Sequence, residues 1–117
     1  MTADNPYTGE SDLVLGGKLH TLVFDFRSLA TIHAQCGANA IKGFFEDAMN
    51  ADPMVLAKIV HAGLHRKHPE VTLDMVLDGL GSYIETTAVL TKGLLFAYFG
   101  TDKAQAKDEP AEESKKN

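Results

Sequence analysis

The sequence predicts a mainly α-helical fold, in which a small N-terminal β-hairpin is followed by about five helices in a compact bundle. Three observations favour it: two β-prone runs flank Gly16-Gly17, apolar residues after Phe26 recur at helical spacing, and capping residues divide that second part into segments. The chain has 117 residues, which suits one domain, and we place that domain at residues 12–100.

The two ends differ from this domain. Residues 1–11 are polar and carry Pro6 and Gly9, so we expect a flexible N-terminus. Residues 101–117, TDKAQAKDEPAEESKKN, contain no large apolar residue. Such a segment cannot bury enough surface to offset its ordering entropy, which predicts a disordered charged tail.

The hairpin prediction rests on the stretch DLVLGGKLHTLVFDF. Adjacent glycines supply the positive φ angles that a two-residue turn demands. A lone hairpin is only marginally stable in water, so helices should cover one of its faces. We expect Leu13 and Leu15 to share one face of the first strand. In the second strand we expect Leu22, Phe24 and Phe26 on one face and Val23 on the opposite face.

Five helical segments follow, and each has its own start signal. These signals are Asp25 or Ser28, Asn39, Asp52-Pro53, Thr72, and Ser82 with Glu85. The apolar faces, helix by helix, are Leu29, Ile32, His33 and Cys36; Ile41, Phe44, Phe45 and Ala48; Leu56, Ile59, Val60, Gly63 and Leu64; Leu73, Val76, Leu77 and Leu80; and Ile84, Ala88, Leu94, Leu95, Tyr98 and Phe99.

Composition narrows the class of protein. The net charge of −5 repels phosphate backbones, so we expect no nucleic-acid partner. No apolar run reaches the length of a membrane span, and residues 1–12 lack the features of a signal peptide, so we expect no membrane partner. A single cysteine, Cys36, fits a reducing cytoplasm.

Three of the five histidines cluster at His61, His65 and His68. The i, i+4 spacing of the first two is that of paired zinc ligands on a helix, but the zinc motif requires a glutamate where Ala62 stands. Cationic side chains are also favoured at a helix C-terminus by the macrodipole. We therefore expect a helix end without metal or cofactor. The alternative is a metal-dependent or regulatory binding protein, and elemental analysis of the purified protein would test it.

No group of acid, base and nucleophile emerges, so we expect no enzymatic activity. Cys36 would need a base to act as a nucleophile. His33 is near, but nothing supplies an oxyanion hole, and we expect both side chains in the core. A DNA-binding helix-turn-helix is disfavoured because its second helix would carry Asp74 and Asp78 and no cation.

The order of these elements resembles that of the small tail assembly chaperones of long-tailed bacteriophages and gene transfer agents. The similarity covers about residues 13–100 and depends on order and spacing, without a catalytic signature. The segments that carry it are LVLGGKLHTLVFDF, SLATIHAQCG, LAKIVHAGLHRKHPEVTLDMVLDGL and LLFAYFG.

The resemblance implies a function. Such chaperones bind the tape measure protein, a long helical protein with exposed apolar stripes, and help recruit tail tube protein subunits to it. It also implies residence in the host cell cytoplasm and absence from the mature virion. The alternative is a small structural virion protein of the tail or of head completion, which would remain in purified particles.

The end of the last helix is the candidate partner-binding site, because its apolar groups surround most of the helix. The candidates are Leu94, Leu95, Phe96, Tyr98 and Phe99, with Phe44 and Phe45 as a second pair. The alternative is that this helix is central to the bundle. Self-association is a further expectation, because hairpin edges and spare apolar surface both favour it.

The final residues ESKKN suggest a frameshift. Related systems make a second, longer product by ribosomal slippage, and Lys115-Lys116 matches the residues that a slippery A-AAA-AAG heptamer encodes. The alternative is a solvating charged tail. The codons for these two lysines distinguish the two.

Overall fold

A computed structural model describes residues 10–99, and side chains over residues 10–98. The predicted disordered tail and frameshift site lie outside the described residues. So does the predicted flexible N-terminus, except for Glu10 and Ser11, which begin β1. The fold class is confirmed: an antiparallel hairpin precedes five helices. The elements are β1 (Glu10–Leu15), β2 (Lys18–Val23), α1 (Phe26–Cys36), α2 (Ala40–Glu46), a 3-10 helix (Ala48–Asn50), α3 (Pro53–Leu64), α4 (Leu73–Gly79) and α5 (Tyr83–Phe99).

The hairpin turn has the predicted chemistry. Gly16 and Gly17 adopt φ angles of 61° and 80°, a region that residues with a Cβ rarely enter. The Gly16 N–H donates to the Gly79 carbonyl at 3.0 Å, which fastens the turn to the end of α4. One face of the hairpin carries the buried Leu13, Leu15 and Leu22 towards the helices.

The helix starts largely follow the predicted caps. The Asp25 carboxylate accepts the Ser28 N–H at 2.9 Å, and the Asp52 carboxylate accepts the Met54 N–H at 2.8 Å. Thr72 and Ser82 accept N–H groups at the starts of α4 and α5. Asn39 occupies its predicted cap position, but its side chain makes no capping hydrogen bond.

The core lies where β2, α3 and α5 meet. All five residues predicted for the buried face of α3 are buried, and Leu90 and Leu94 of α5 are fully inaccessible. Phe24, which follows β2 directly, projects its ring between α3 and α5 against Gly63 and Gly93.

Three residues predicted on the apolar faces of the hairpin, α1 and α4 are exposed, and on the predicted faces of α2 and α5 the exposed residues are Phe45, Ile84, Ala88 and Tyr98. Phe26 was expected on the face of the second strand, but β2 ends at Val23, Asp25 caps a new helix, and the Phe26 side chain is 90% exposed. His33 is exposed because the face of α1 that packs on the core is narrow and centred on Ile32. Leu77 is exposed because α4 buries only Val76 fully.

Candidate partner-binding surface

Helix α5 carries two apolar faces. One packs inward through Leu90 and Leu94. The other lies beside it around the helix at helical spacing and is formed by Ile84, Ala88, Leu95 and Tyr98, of which Tyr98 is one turn beyond Leu94 at the border between the two faces. We call these four residues the α5 outer face.

The α5 outer face is accessible along its length. Ile84 is 65% exposed, Tyr98 is 48% exposed, and Ala88 is exposed too. Leu95 is half-buried between them. A long helix with apolar residues around much of its circumference leaves some of them uncovered in a bundle this small, so this face is available to a partner.

Helix α2 extends this face. The Phe45 ring meets the Tyr98 ring edge-on with 6.1 Å between centroids, and Phe45 is 37% exposed. Phe45 also contacts the buried Phe44 at 5.9 Å, which links the surface pair to the core. Edge-to-face aromatic pairs of this kind are rigid, so they present a fixed apolar surface to solvent.

Tyr83 holds the 3-10 helix beside α5. Its hydroxyl lies 2.7 Å from the Ala51 carbonyl and 3.1 Å from the Ala48 carbonyl. Met49, between them, is exposed. The Tyr83 contact therefore fixes the segment that carries this exposed, adaptable apolar side chain.

The seven predicted partner-binding residues separate into three groups. Phe44, Leu94 and Phe96 are buried in the monomer, so they support the surface from beneath. Phe45, Leu95 and Tyr98 are accessible; Phe45 contacts Tyr98, and Leu95 and Tyr98 share the α5 outer face with Ile84. The Phe99 side chain lies outside the described residues.

Ile84 belongs to the predicted apolar face of the last helix but not to the predicted partner-binding residues. Its spacing from Leu95 and Tyr98, by eleven and fourteen residues, puts all three on one stripe of a helix. That signal connects Ile84 to the candidate site.

The histidine cluster is divided among separate local contacts. His61 Nε2 donates to the Val71 carbonyl at 3.1 Å, which joins α3 to the loop before α4. His68 Nε2 accepts the Thr21 N–H at 3.1 Å on the outer edge of β2. His65 is exposed. Within the part of the chain that the structure describes, no group of three or more His, Cys, Asp or Glu side chains is placed to hold a metal ion.

Cys36 packs partly against the core at the end of α1. Burial raises the pKa of its thiol, and the nearby Lys58 ammonium lowers the pKa by a smaller amount. A thiol in that state is a poor nucleophile near neutral pH. His33, its expected neighbour on the same face, points to solvent.

The comparisons with known proteins give no relative. No protein-family model, no curated protein and no solved structure matches this chain. Among residues 10–99, none of the helices is long and apolar enough to cross a membrane.

Proposed function

We propose that this protein is a non-enzymatic tail assembly chaperone of a long-tailed bacteriophage or gene transfer agent, which binds the tape measure protein and helps to recruit tail tube subunits. The observation that carries the proposal is the α5 outer face with Phe45. Together with the resemblance in element order, it supports the binding of a long helix through its apolar stripe.

The shape of the surface suits such a partner. Ile84, Ala88, Leu95 and Tyr98 form a strip along the 17-residue helix α5, and an amphipathic helix presents apolar side chains at matching spacing. A strip of this kind binds by apolar burial without a specific ionic contact. It can therefore engage repeated apolar segments of one long protein.

Co-expression with the tape measure protein tests the proposal. We expect the wild-type protein to keep that partner soluble, and Ile84→Glu to abolish the effect because a carboxylate would have to be desolvated at the contact. Leu19→Glu is the matched control, because Leu19 lies on the outer face of the hairpin and is 64% exposed, against 65% for Ile84. If the wild-type protein leaves the partner insoluble, the proposed function is wrong.

Purified particles separate the chaperone from the alternative function. A chaperone should be absent from mature tails, whereas a structural tail or head-completion protein should be present in fixed stoichiometry. Mass spectrometry of purified particles measures this directly. A constant copy number per particle would replace the proposed function with the structural one.

A further inference from the structure

A second exposed surface lies on helix α1, away from the α5 outer face. Phe26 is 90% exposed, more than any other large apolar side chain among the described residues. Ala30 and Ala34 follow it at intervals of four residues and are also exposed. The three form an open apolar groove with Arg27 and Thr31 along its side.

The same side of α1 borders a cleft of about 350 Å³ between the start of α1 and the end of α3. Arg27 and Thr31 line both the groove and the cleft, so the two are continuous. His65 and Arg66 line the far wall of the cleft. An exposed aromatic ring therefore lies beside a group of cationic or protonatable side chains.

Of the two arginines of this surface, Arg66 is paired with an acidic residue and Arg27 is not. Of the residues that line the cleft, only Asp25 is acidic, and its Oδ2 is already held by Arg66 through Nε at 2.9 Å and Nη2 at 2.7 Å. Two of the five guanidinium N–H donors of Arg66 are used in this pair. Arg27 makes no ion pair with any residue that the structure describes.

The position of Arg27 is electrostatically unfavourable for the free protein. It lies in the first turn of α1, where the helix macrodipole disfavours a cation, and no acidic residue stands in that turn. An arginine without an ion-pair partner among the described residues, next to an exposed phenylalanine, offers contacts of both kinds to a ligand that carries carboxylates and apolar side chains.

We propose that this surface, formed by Phe26, Arg27, Ala30, Ala34 and Arg66, binds an acidic amphipathic peptide segment of another protein. Apolar side chains of that segment would pack on Phe26 over the two alanines, which allow close approach of a helix. Its carboxylates would pair with Arg27 and with the remaining donors of Arg66. Arginine suits this role because its planar donors match a carboxylate.

Two other occupants fit less well. Nucleic acid would bring phosphates to the arginines, but the apolar groove of Phe26, Ala30 and Ala34 would stay unused. A second copy that packed symmetrically, α1 on α1, would bring two sets of the same cations together, which repel each other. An acidic peptide satisfies both the groove and the cations. The inference does not depend on the proposed function, because its residues are separate from the α5 outer face.

The test measures binding of a fluorescein-labelled helical peptide with leucines at i, i+4 spacing and flanking glutamates, by fluorescence anisotropy at low salt. We expect saturable binding that weakens at least tenfold in Phe26→Ser and in Arg27→Glu. Both side chains are exposed, so circular dichroism should show an unchanged fold. Lys42→Glu makes the same charge change on an exposed lysine of α2 and should change the affinity less than twofold, as should Ile84→Glu.

The control peptide replaces every glutamate with glutamine, and we expect it to bind at least tenfold more weakly. Four results would overturn the inference: no saturable binding, equal affinity for the two peptides, equal affinity of wild type and Phe26→Ser, or tighter binding of a single-stranded oligonucleotide. Self-association that is abolished by Phe26→Ser would overturn it as well, because the occupant would then be a second copy. Failure here with successful co-expression would leave the proposed function standing.

Discussion

The ring of Phe24 occupies the space into which a side chain at Gly63 would project. A Cβ built at Gly63 would lie 2.7 Å from Phe24 Cζ, and one built at Gly93 would lie 2.7 Å from Cδ2 of the same ring. Both distances are shorter than carbon atoms approach without displacement. The aromatic residue that follows β2 is thus fixed between α3 and α5 because each helix has a glycine at the contact.

We expect Gly63→Ala to destabilise the protein. Overpacking of a core costs about 1–3 kcal/mol, and the better helix propensity of alanine returns about 1 kcal/mol, so a net loss of up to about 2 kcal/mol is expected. Urea denaturation followed by circular dichroism measures it. Gly43→Ala is the matched control in α2, because nothing lies within 4 Å of its added Cβ. That control should gain about 0.5–1 kcal/mol, and equal stability of the two variants would contradict the Phe24 contact.

The contrast between these glycines also shows what the sequence predicts well. Element starts depend on neighbouring residues, so the sequence alone predicts the caps Asp52 and Thr72 and narrows the cap of α1 to Asp25 or Ser28. The prediction for Phe26 is wrong because the alternation of apolar and polar residues continues through Phe24, Asp25 and Phe26, whereas helix α1 begins at Phe26. The pattern cannot distinguish these outcomes, because the same residues are compatible with a continued strand and with the Asp25 carboxylate starting a helix.

The candidate site was predictable in position but not in detail. The apolar surplus at the end of α5 is visible in the sequence. Which residues face outward depends on how wide a face the neighbouring elements cover, and this width is a tertiary property. The Phe45–Tyr98 contact joins two helices that are far apart in the sequence, and no spacing rule relates them.

Asp25 gives the stability of the fold a dependence on pH in the acid range. Burial, the largest influence, raises the pKa of Asp25, but hydrogen bonds from the Ser28 backbone, Arg66 and the Ser28 hydroxyl, with the charge of Arg66, together lower the pKa below 3.8. A carboxyl with a lowered pKa in the folded state stabilises the fold above its unfolded pKa of 3.8, and the contribution disappears as pH falls through the folded pKa.

Two variants separate the cap from the charge. At pH 7 we expect Asp25→Ala to lose about 1 kcal/mol because the cap is removed, and Asp25→Asn to lose less because asparagine still caps a helix. As pH falls through the folded-state pKa of Asp25, which lies below 3.8, the difference between wild type and Asp25→Asn should shrink, because the wild-type carboxyl then becomes neutral as well. Urea denaturation at pH 7 and pH 2 measures this. A constant difference across that range would show that the Arg66 pair contributes nothing.

Cys36 should react slowly with alkylating reagents. Burial raises the pKa of the thiol, so less thiolate is present at a given pH than in the unfolded chain. We expect the rate of reaction with iodoacetamide at pH 8 to be several-fold lower in the folded protein than in urea. Lys58→Met should slow it further, because Lys58 lowers the pKa of the thiol, whereas Lys42→Met should not. A folded rate equal to that in urea would contradict the burial.

His68 should stabilise the edge of the hairpin. Its Nε2 accepts the Thr21 N–H, and removal of the ring leaves that donor without its partner. We expect His68→Ala to cost about 1 kcal/mol and to speed hydrogen exchange of the Thr21 amide. His65→Ala is the control, because His65 is exposed, and it should change stability by less than about 0.5 kcal/mol. Equal hydrogen-exchange rates of the Thr21 amide in the two variants would show that His68 does not protect this edge of the hairpin.

Zinc provides the last test of the histidine cluster. A zinc ion bound through the Nε2 atoms of His61 and His68 would have to break the bonds that these atoms make to Val71 and Thr21, at 3.1 Å each. Any gain from metal binding would therefore be reduced by the loss of two interactions that hold the loop before α4 and the edge of β2. We expect the melting temperature to be the same in zinc and in a chelator. A ligand that binds only the folded state stabilises it by about 2.7 kcal/mol when its concentration is about one hundred times its Kd. A rise in melting temperature with micromolar zinc that is absent in His61→Ala would therefore establish a metal site and overturn this expectation.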